Sequence, residues 1–332
     1  MISPCINVNV FVIILTYNGR RWIEECLKSV LASGLNGQRV LVVDNASTDG
    51  TPEMVRQQFP QVRLRQNDRN LGFAAGNNVG IKLALDEGAE YVMLLNQDTT
   101  VATDCFVRLE EAAKESPFGV FAPLQLRYDG SGIDPGMRKG MLIESGEFID
   151  DLWRGQRRKT YPLKEAYGGA VLFHRTVFEA VGLFDECFFL YGEDEDLCRR
   201  IRRAGFRFNL VPGALVCHWH TLVQLENQGM EKTNPHARRA VLLLALKDIQ
   251  RAWVSRCLYV VKELSSKSLH ALLRLDFPSL FGCVEDGAWL FLNLRHIKRS
   301  RDFDKRVFET VMERQAPQQG NVNSTSRPER SV

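Results

Sequence analysis

The sequence contains no apolar run approaching the roughly 18 residues a membrane helix needs, so a transmembrane span is not expected. No Gly-x-Gly-x-x-Gly follows its first apolar stretch, which argues against a dinucleotide dehydrogenase. Excess charge is small. A formal net charge of +3 over 332 residues excludes a protein that neutralises many phosphates at once, so no nucleic-acid partner is expected. Eight cysteines are present, but none forms a Cys-x-x-Cys pair: they stand apart at Cys5, Cys26, Cys105, Cys187, Cys198, Cys217, Cys257 and Cys283. Such dispersal favours reduced, buried thiols in a cytoplasmic protein over a disulfide framework or a zinc site. The amino terminus lacks a basic leader region, and its apolar run Val8 to Leu15 leads straight into Thr16-Tyr17-Asn18, as a first strand would and a signal peptide would not. Residues 316–332 lack apolar residues in number and are expected to be disordered.

What is present is the composition of a globular chain, 45% apolar and 25% charged, long enough for a sizeable core. Its most informative stretch is Tyr91 to Thr100, where five apolar residues end abruptly in Asn96, Gln97 and Asp98. Unbroken apolar runs of this length are strands buried on both faces, and a carboxylate at the carboxyl end of one sits where open α/β sheets bind ligands. Alternatively, Asp98 caps a following helix over Thr103 to Lys114. The same design recurs earlier, in strands at Val10 to Thr16 and Val40 to Asp44, with a short third at Val62 to Arg65. Helices are expected over Trp22 to Leu31, Thr51 to Phe59 and Val79 to Glu87, with a turn-rich loop over Asn67 to Asn78. Strands and helices alternating in this way give a doubly wound sheet.

Further along, strands are expected at Val120 to Tyr128, Gly168 to Phe173, Phe206 to Val211 and Val216 to His220, and helices at Thr176 to Val181 and Leu197 to Ala204. Asp129 to Pro162 has weak periodicity and reads as a functional lid or binding loop, or as a stretch that hides short antiparallel strands. From Pro235 to about Glu313 the pattern is helical and broken near Pro278. Glu193, Asp194 and Asp196 lie at a helix start, where one carboxylate is favoured by unpaired amide groups. Three in four residues exceed that need, and like charges so close raise at least one pKa, as a general base requires. Asp98, this cluster and His218 or His220 at another strand end suggest a base and a divalent cation, Mg²⁺ or Mn²⁺, bound largely through a diphosphate. Each histidine alone would more often read as structural.

Taken in order, Thr16-Tyr17-Asn18, Val42 to Gly50, Asn70 to Asn78, Leu94 to Asp98, Gly168-Gly169-Ala170, Gly182 to Glu186, Tyr191 to Leu197 and Pro212 to His220 resemble the family 2 glycosyltransferases of the GT-A fold, and most of all their bacterial rhamnosyltransferase-like branch. The resemblance covers about residues 8–225. It implies a mixed doubly wound sheet, a catalytic domain over 1–225 with a nucleotide-sugar half at about 8–115 and an acceptor half at about 116–225, and a helical extension over 235–313. It implies a nucleotide and donor site of Thr16, Tyr17, Asp44, Asn45, Asn70, Gly72, Phe73, Gly76, Asn77 and Asn96, with Asp44 accepting from a pyrimidine N3. Asp194 matches the catalytic base, supported by Glu193 and Asp196; Asp98 and His218 match the metal and diphosphate contacts. The family's Asp-x-Asp stands here as Asn96-Gln97-Asp98, so its first acid is missing. Gly168 and Gly169 are the expected acceptor wall.

The implied activity is inverting transfer of a sugar, with rhamnose favoured, from a dTDP- or UDP-sugar to a hydroxyl of a glycan or lipid-linked acceptor in cell-surface polysaccharide synthesis. The rival readings are a sugar-nucleotidyltransferase, which would want a Gly-rich phosphate loop after the first strand, and a non-catalytic scaffold on the same fold. The carboxyl-terminal helices mix apolar stripes with Arg and Lys. They are expected to pack on the catalytic domain, to form a homodimer interface, or to rest a basic face on the inner leaflet of the plasma membrane.

Overall fold

The computed structural model describes residues 8–115, 118–138, 146–166, 169–219 and 234–315. The buried run at Val10–Thr16 is β1, and it leads through a turn into α1 (Ile23–Ala32). β2 (Val40–Asp44), α2 (Thr51–Gln58), β3 (Arg63–Gln66), α3 (Gly72–Asp86) and β4 (Tyr91–Asn96) complete the alternating segment. β1 pairs in parallel with β2 and β4, and β2 with β3, so four strand ends open on the same edge. This places Thr16, Asp44 and Asn96 side by side, as the sequence predicts.

Beyond β4 come β5 (Thr99–Val101), α4 (Cys105–Glu115), β6 (Gly119–Arg127), α5 (Gly146–Trp153), β7 (Tyr161–Leu163), β8 (Ala170–His174), α6 (Arg175–Val181), α7 (Glu193–Arg203) and β9 (Arg207–His218). The sheet is mixed, in the order β3-β2-β1-β4-β8-β6-β9-β5, with β7 also on β9. β8 runs antiparallel to both β4 and β6. One apolar core lies under α1, α2 and α4, and a second under α3, α6 and α7. Side chains such as Ile13, Val42 and Met93 are fully buried, and each stabilises the fold by about 1.5–3 kcal/mol.

Three expectations need correction. The stretch Asn70 to Asn78 is not all loop: α3 begins at Gly72, because tertiary packing overrides the poor helix propensity of Gly and Asn. A β-carbon on Gly76 would lie 2.6 Å from Leu15 Cδ1, and one on Gly80 2.4 Å from Ile13 Cγ2, so these glycines let α3 close on β1. The two strands expected over 206–220 are one strand, β9, with three extra residues opposite the Pro123/Leu124 step of β6. Asp98 caps no helix; it precedes β5, which pairs antiparallel with β9 and sets Thr99 opposite His218.

The carboxyl-terminal helices are α8 (Pro235–Leu246), α9 (Trp253–Leu273) and α10 (Phe277–Gln315), with Pro278 in the first turn of the last, where its missing N–H is harmless. Leu242, Leu243, Leu290 and Ile297 pack with Cys187 and Phe188 from the loop before α7. The expected tail at 316–332, Gly168 and His220 lie outside the described residues.

Candidate active site

The carboxyl ends of β1, β2 and β4 and the start of α3 enclose a cleft of about 320 Å³, lined by Leu15, Tyr17, Asn45, Asn70, Gly72, Phe73, Asn96, Gln97, Asp98, Phe189 and Leu190. Seven of these are residues the sequence points to. Thr16 lies just beneath. Its hydroxyl donates to Gln97 Oε1, which also accepts from the Tyr17 N–H at 3.1 Å. Gln97 thus holds the β1 turn from the middle of the altered acidic motif.

Asp44 is fully buried at the end of β2. Its Oδ2 accepts from the Ser47 N–H at 3.0 Å, while Oδ1 has no hydrogen-bond partner among the described residues. A buried, unpaired carboxylate oxygen is costly, and a ligand N–H would relieve that cost. Asn45 is a clamp. Its Oδ1 accepts from Asn67 Nδ2 at 2.9 Å and its Nδ2 donates to the Gly72 carbonyl at 3.0 Å, tying β2 to the head of α3. Asn70 Oδ1 accepts from the Gly72 N–H at 2.9 Å, starting that helix. Gly72 has φ +83°, and a β-carbon there would come within 2.4 Å of the Phe189 carbonyl oxygen, which accepts from the Phe73 N–H at 2.7 Å. The loop before α7 therefore closes directly on the start of α3. Asn18, Ala46 and Tyr191 take positive φ without being glycine, and two of the three sit at the β1 and β2 ends, where strain commonly marks a working edge.

At the far end of the cleft, Asp98 Oδ1 stands 3.5 Å from His218 Nε2, and Asp134 Oδ2 3.6 Å from His218 Nδ1. Burial alone would lower the imidazole pKa, but the two carboxylates outweigh it and raise it to about 9. Burial likewise opposes ionisation of Asp134, yet His218 and the Met137 and Gly136 N–H groups hold it below its ordinary range. Gly169 is packed against this pair: a β-carbon would lie 2.5 Å from Thr99 Cγ2 and 3.2 Å from the His218 ring. Its N–H donates to Gln125 Oε1 at 3.2 Å.

Among the described residues, no group of three His, Cys, Asp or Glu side chains suits a metal ion. Asp98 and His218 together supply two donors. That set fits a divalent cation only if a ligand's diphosphate completes the shell and the imidazole gives up its proton.

Glu193 and Asp194 occupy the first turn of α7. Asp194 lines a narrow cavity with Phe73, Asn77, Asn96, Leu94 and Cys198, and shares Phe73 and Asn96 with the larger cleft. Asn77 donates its Nδ2 to the Phe73 carbonyl at 3.0 Å, so it shapes this wall and leaves Asp194 alone. Glu193 is buried, with Oε2 unpartnered among the described residues. Burial pushes both carboxyls well above the ordinary range, and their repulsion adds to the shift of Glu193. Asp196, expected to support the base, points elsewhere. It accepts from Arg200 Nε at 3.0 Å and pairs with Lys247 at 3.0 Å, on the face of α7 turned to the carboxyl-terminal helices.

The sequence reading did not single out Gln97, Asp134, Gln125, Phe189 or Leu190. Gln97 was visible from its place inside the motif, and Asp134 only as the head of an Asp-Pro-Gly turn; for the others no local signal exists.

Residues 11–182 match the sequence model of glycosyl transferase family 2, and residues 155–221 that of the N-terminal domain of galactosyltransferase. The N-acetylglucosaminyl-diphospho-decaprenol L-rhamnosyltransferase of Mycobacterium tuberculosis is 31% identical over 229 residues, covering 62% of this chain and 75% of that one. The dTDP-rhamnosyl transferase RfbF of Shigella flexneri is 25% identical, covering 64% and 69%. Among solved structures, S. aureus TarS 1-349 in complex with UDP-GlcNAc superposes with a TM-score of 0.54 at 17% identity, over 93% of this chain and 92% of that one. The mannosyltransferase PcManGT from Pyrobaculum calidifontis, in complex with GDP-Man and Mn²⁺, gives 0.53 at 16% identity, over 95% and 90%. These likenesses show a GT-A fold.

Proposed function

The chain belongs to the family 2 glycosyltransferases, and we propose that it transfers a sugar, with inversion, from a dTDP- or UDP-sugar to a hydroxyl on a lipid-linked or glycan acceptor in cell-surface polysaccharide synthesis. Rhamnose is the favoured sugar, since both curated relatives above are named for it. The observation that supports the reading is the cleft at the strand ends, lined by Tyr17, Asn45 and Asp98, with the unpartnered Asp44 oxygen next to Asn45 in sequence and His218 3.5 Å from Asp98.

In this reading the base lies against Tyr17 and Asp44, with Asn45 and Asn67 holding the pocket's shape. Asp98 and His218 face the diphosphate, and they would hold Mg²⁺ or Mn²⁺ there, which neutralises leaving-group charge when bound. As an imidazolium, His218 can itself donate to a phosphate oxygen. Asp194, kept protonatable near neutrality by burial, takes the proton from the acceptor hydroxyl as it attacks the anomeric carbon from the face opposite the nucleotide. A single displacement of this kind inverts the centre. Residues up to about 225 perform the transfer, and 235–313 brace it beside a membrane surface that presents the acceptor.

The test is donor binding and slow donor hydrolysis against a panel of nucleotide sugars, in Mn²⁺, Mg²⁺ or EDTA, with wild type and Asp194→Asn. One donor is expected to bind both proteins, and only wild type is expected to turn it over. Failure of every nucleotide sugar to bind under any metal condition overturns the reading and returns the scaffold alternative.

A further inference from the structure

A second cavity among the described residues is larger than the donor cleft. It measures about 570 Å³, lies between α7 and the α8–α9 helices, and shares no lining residue with the cleft. Four arginines line it, Arg199, Arg202, Arg203 and Arg256, against two carboxylates, Glu195 and Asp248. The arginines are half-buried and partly engaged: Arg199 Nη1 donates to the Leu244 carbonyl at 3.0 Å and its Nη2 to Glu195, Arg202 Nη1 donates to Glu165, and Arg256 Nε donates to the Ala245 carbonyl at 2.7 Å. Arg203 reaches Asp248 only at 3.8 Å. Its pKa is held below the ordinary arginine range chiefly by burial, which Asp248 opposes and neighbouring Arg199 reinforces. Four guanidiniums therefore meet three carboxylates, and Arg203 and Arg256 have none within hydrogen-bond distance among the described ion pairs. Val241, Leu244 and Tyr259 form the opposite wall, and along the same helix Val254, Leu258 and Val261 stand exposed at 66, 65 and 60%.

We infer that this cavity binds a phosphate or diphosphate group, with the exposed apolar side chains of α9 receiving the chain of an amphiphile that carries it. Planar guanidinium forks suit phosphate oxygens, and an anion placed beside Arg203, with Arg199 and Arg256 flanking it, gains charge-assisted bonds at a site already stripped of much of its water. The same phosphate chemistry can come from a lipid headgroup or from a soluble anion; the apolar neighbours favour the lipid. The site stands or falls separately from sugar transfer.

The experiment uses the full chain and its His218→Ala variant, so that diphosphate bound in the donor cleft is told apart from diphosphate bound in this cavity. Co-sedimentation is measured with phosphatidylcholine vesicles with and without phosphatidylglycerol, and binding of inorganic diphosphate is measured by calorimetry. The expected result is binding to the anionic vesicles, competed by inorganic diphosphate, weakened at least about tenfold in Arg199→Gln/Arg203→Gln and largely restored in Arg199→Lys/Arg203→Lys. Leu258→Ser, on an exposed position, is expected to weaken vesicle binding and spare diphosphate binding. Diphosphate binding without vesicle binding assigns the cavity to a soluble anion and overturns the lipid source. Binding of neither probe, or binding equally strong in the Gln variant, overturns the site.

Discussion

The two faces of α7 carry buried carboxylates in opposite circumstances. On one face, Asp196 joins Asp185 and Asp304 around the Lys247 ammonium, with Arg200 beside them and the Ser300 hydroxyl completing the set; Lys247 is 3% exposed and stands 3.1 Å from Asp304. On the other face, Glu193 is buried and Asp194 half-buried, with no cation in reach of either among the ion pairs described. Beside Lys247, Asp185 falls well below its ordinary range, while burial and then Asp196 hold Asp304 up at about 6; with no cation, Glu193 and Asp194 both rise. The difference teaches that a lysine shared among three acids settles them unequally, whereas a pair without a cation is raised together.

The largest effect that would break this comparison is on turnover. Asp194→Asn is expected to lower it about 10²–10⁴-fold, the usual worth of a general base, with donor affinity kept and thermal stability unchanged or raised. Equal loss of turnover in Asp196→Asn, measured at matched folded fraction, would show that the two faces are not distinct. Next comes Lys247→Ala, which strands three buried carboxylates. It should cost about 3–5 kcal/mol of stability in denaturant titration while the surviving folded fraction keeps its affinity for donor.

Glu193→Gln has a smaller, more diagnostic effect. Asp194 is raised by burial, and its charge is what raises Glu193 further, so the acid limb of the turnover–pH profile should stay in place, with the maximal rate reduced about tenfold or less; a limb moved to lower pH would show that Glu193 is already charged when Asp194 ionises. The smallest effect is in the pH dependence of stability, where Asp185 and the Glu193–Asp194 pair should carry opposite signs. Glu193 and Asp194 have folded pKa values above their unfolded ones, so their contribution is present at low pH and is lost as pH rises from the carboxylate range through neutrality. Asp185 has a depressed folded pKa, so its contribution is present above the unfolded value and lost as pH falls below it. Asp194→Asn should flatten the first slope and Asp185→Asn the second, by about 1 kcal/mol or more each.

The donor edge was legible because its chemistry is local. Thr16, Asp44 and Asn96 each end an apolar run, and parallel pairing then fixes them side by side. The start of α3 was not, because Gly72, Gly76 and Gly80 read as turn residues until the strand and loop they accommodate are known. Asp196 was misassigned for a related reason. Helical spacing sets it on the face away from Asp194, but its partners Lys247 and Asp304 lie in a segment that sequence patterning joins to nothing in particular. Asp134 lay inside a stretch with no periodicity, and the arginines of the large cavity belong to two helices whose packing the pattern does not specify.

The three residues that β9 carries beyond its partner, Pro212, Gly213 and Ala214, have a further meaning as a matter of counting. Side chains on a strand alternate, so the parity of the chain between Val211 and His218 decides whether the imidazole faces Asp98 or the opposite side of the sheet. Adding one residue there would bring Cys217 to the place of His218, and deleting one would bring Trp219, while every cleft-lining residue of the first hundred stays in place. Either change would remove the imidazole from Asp98 without touching that wall, so the length of this short segment is what sets the pair.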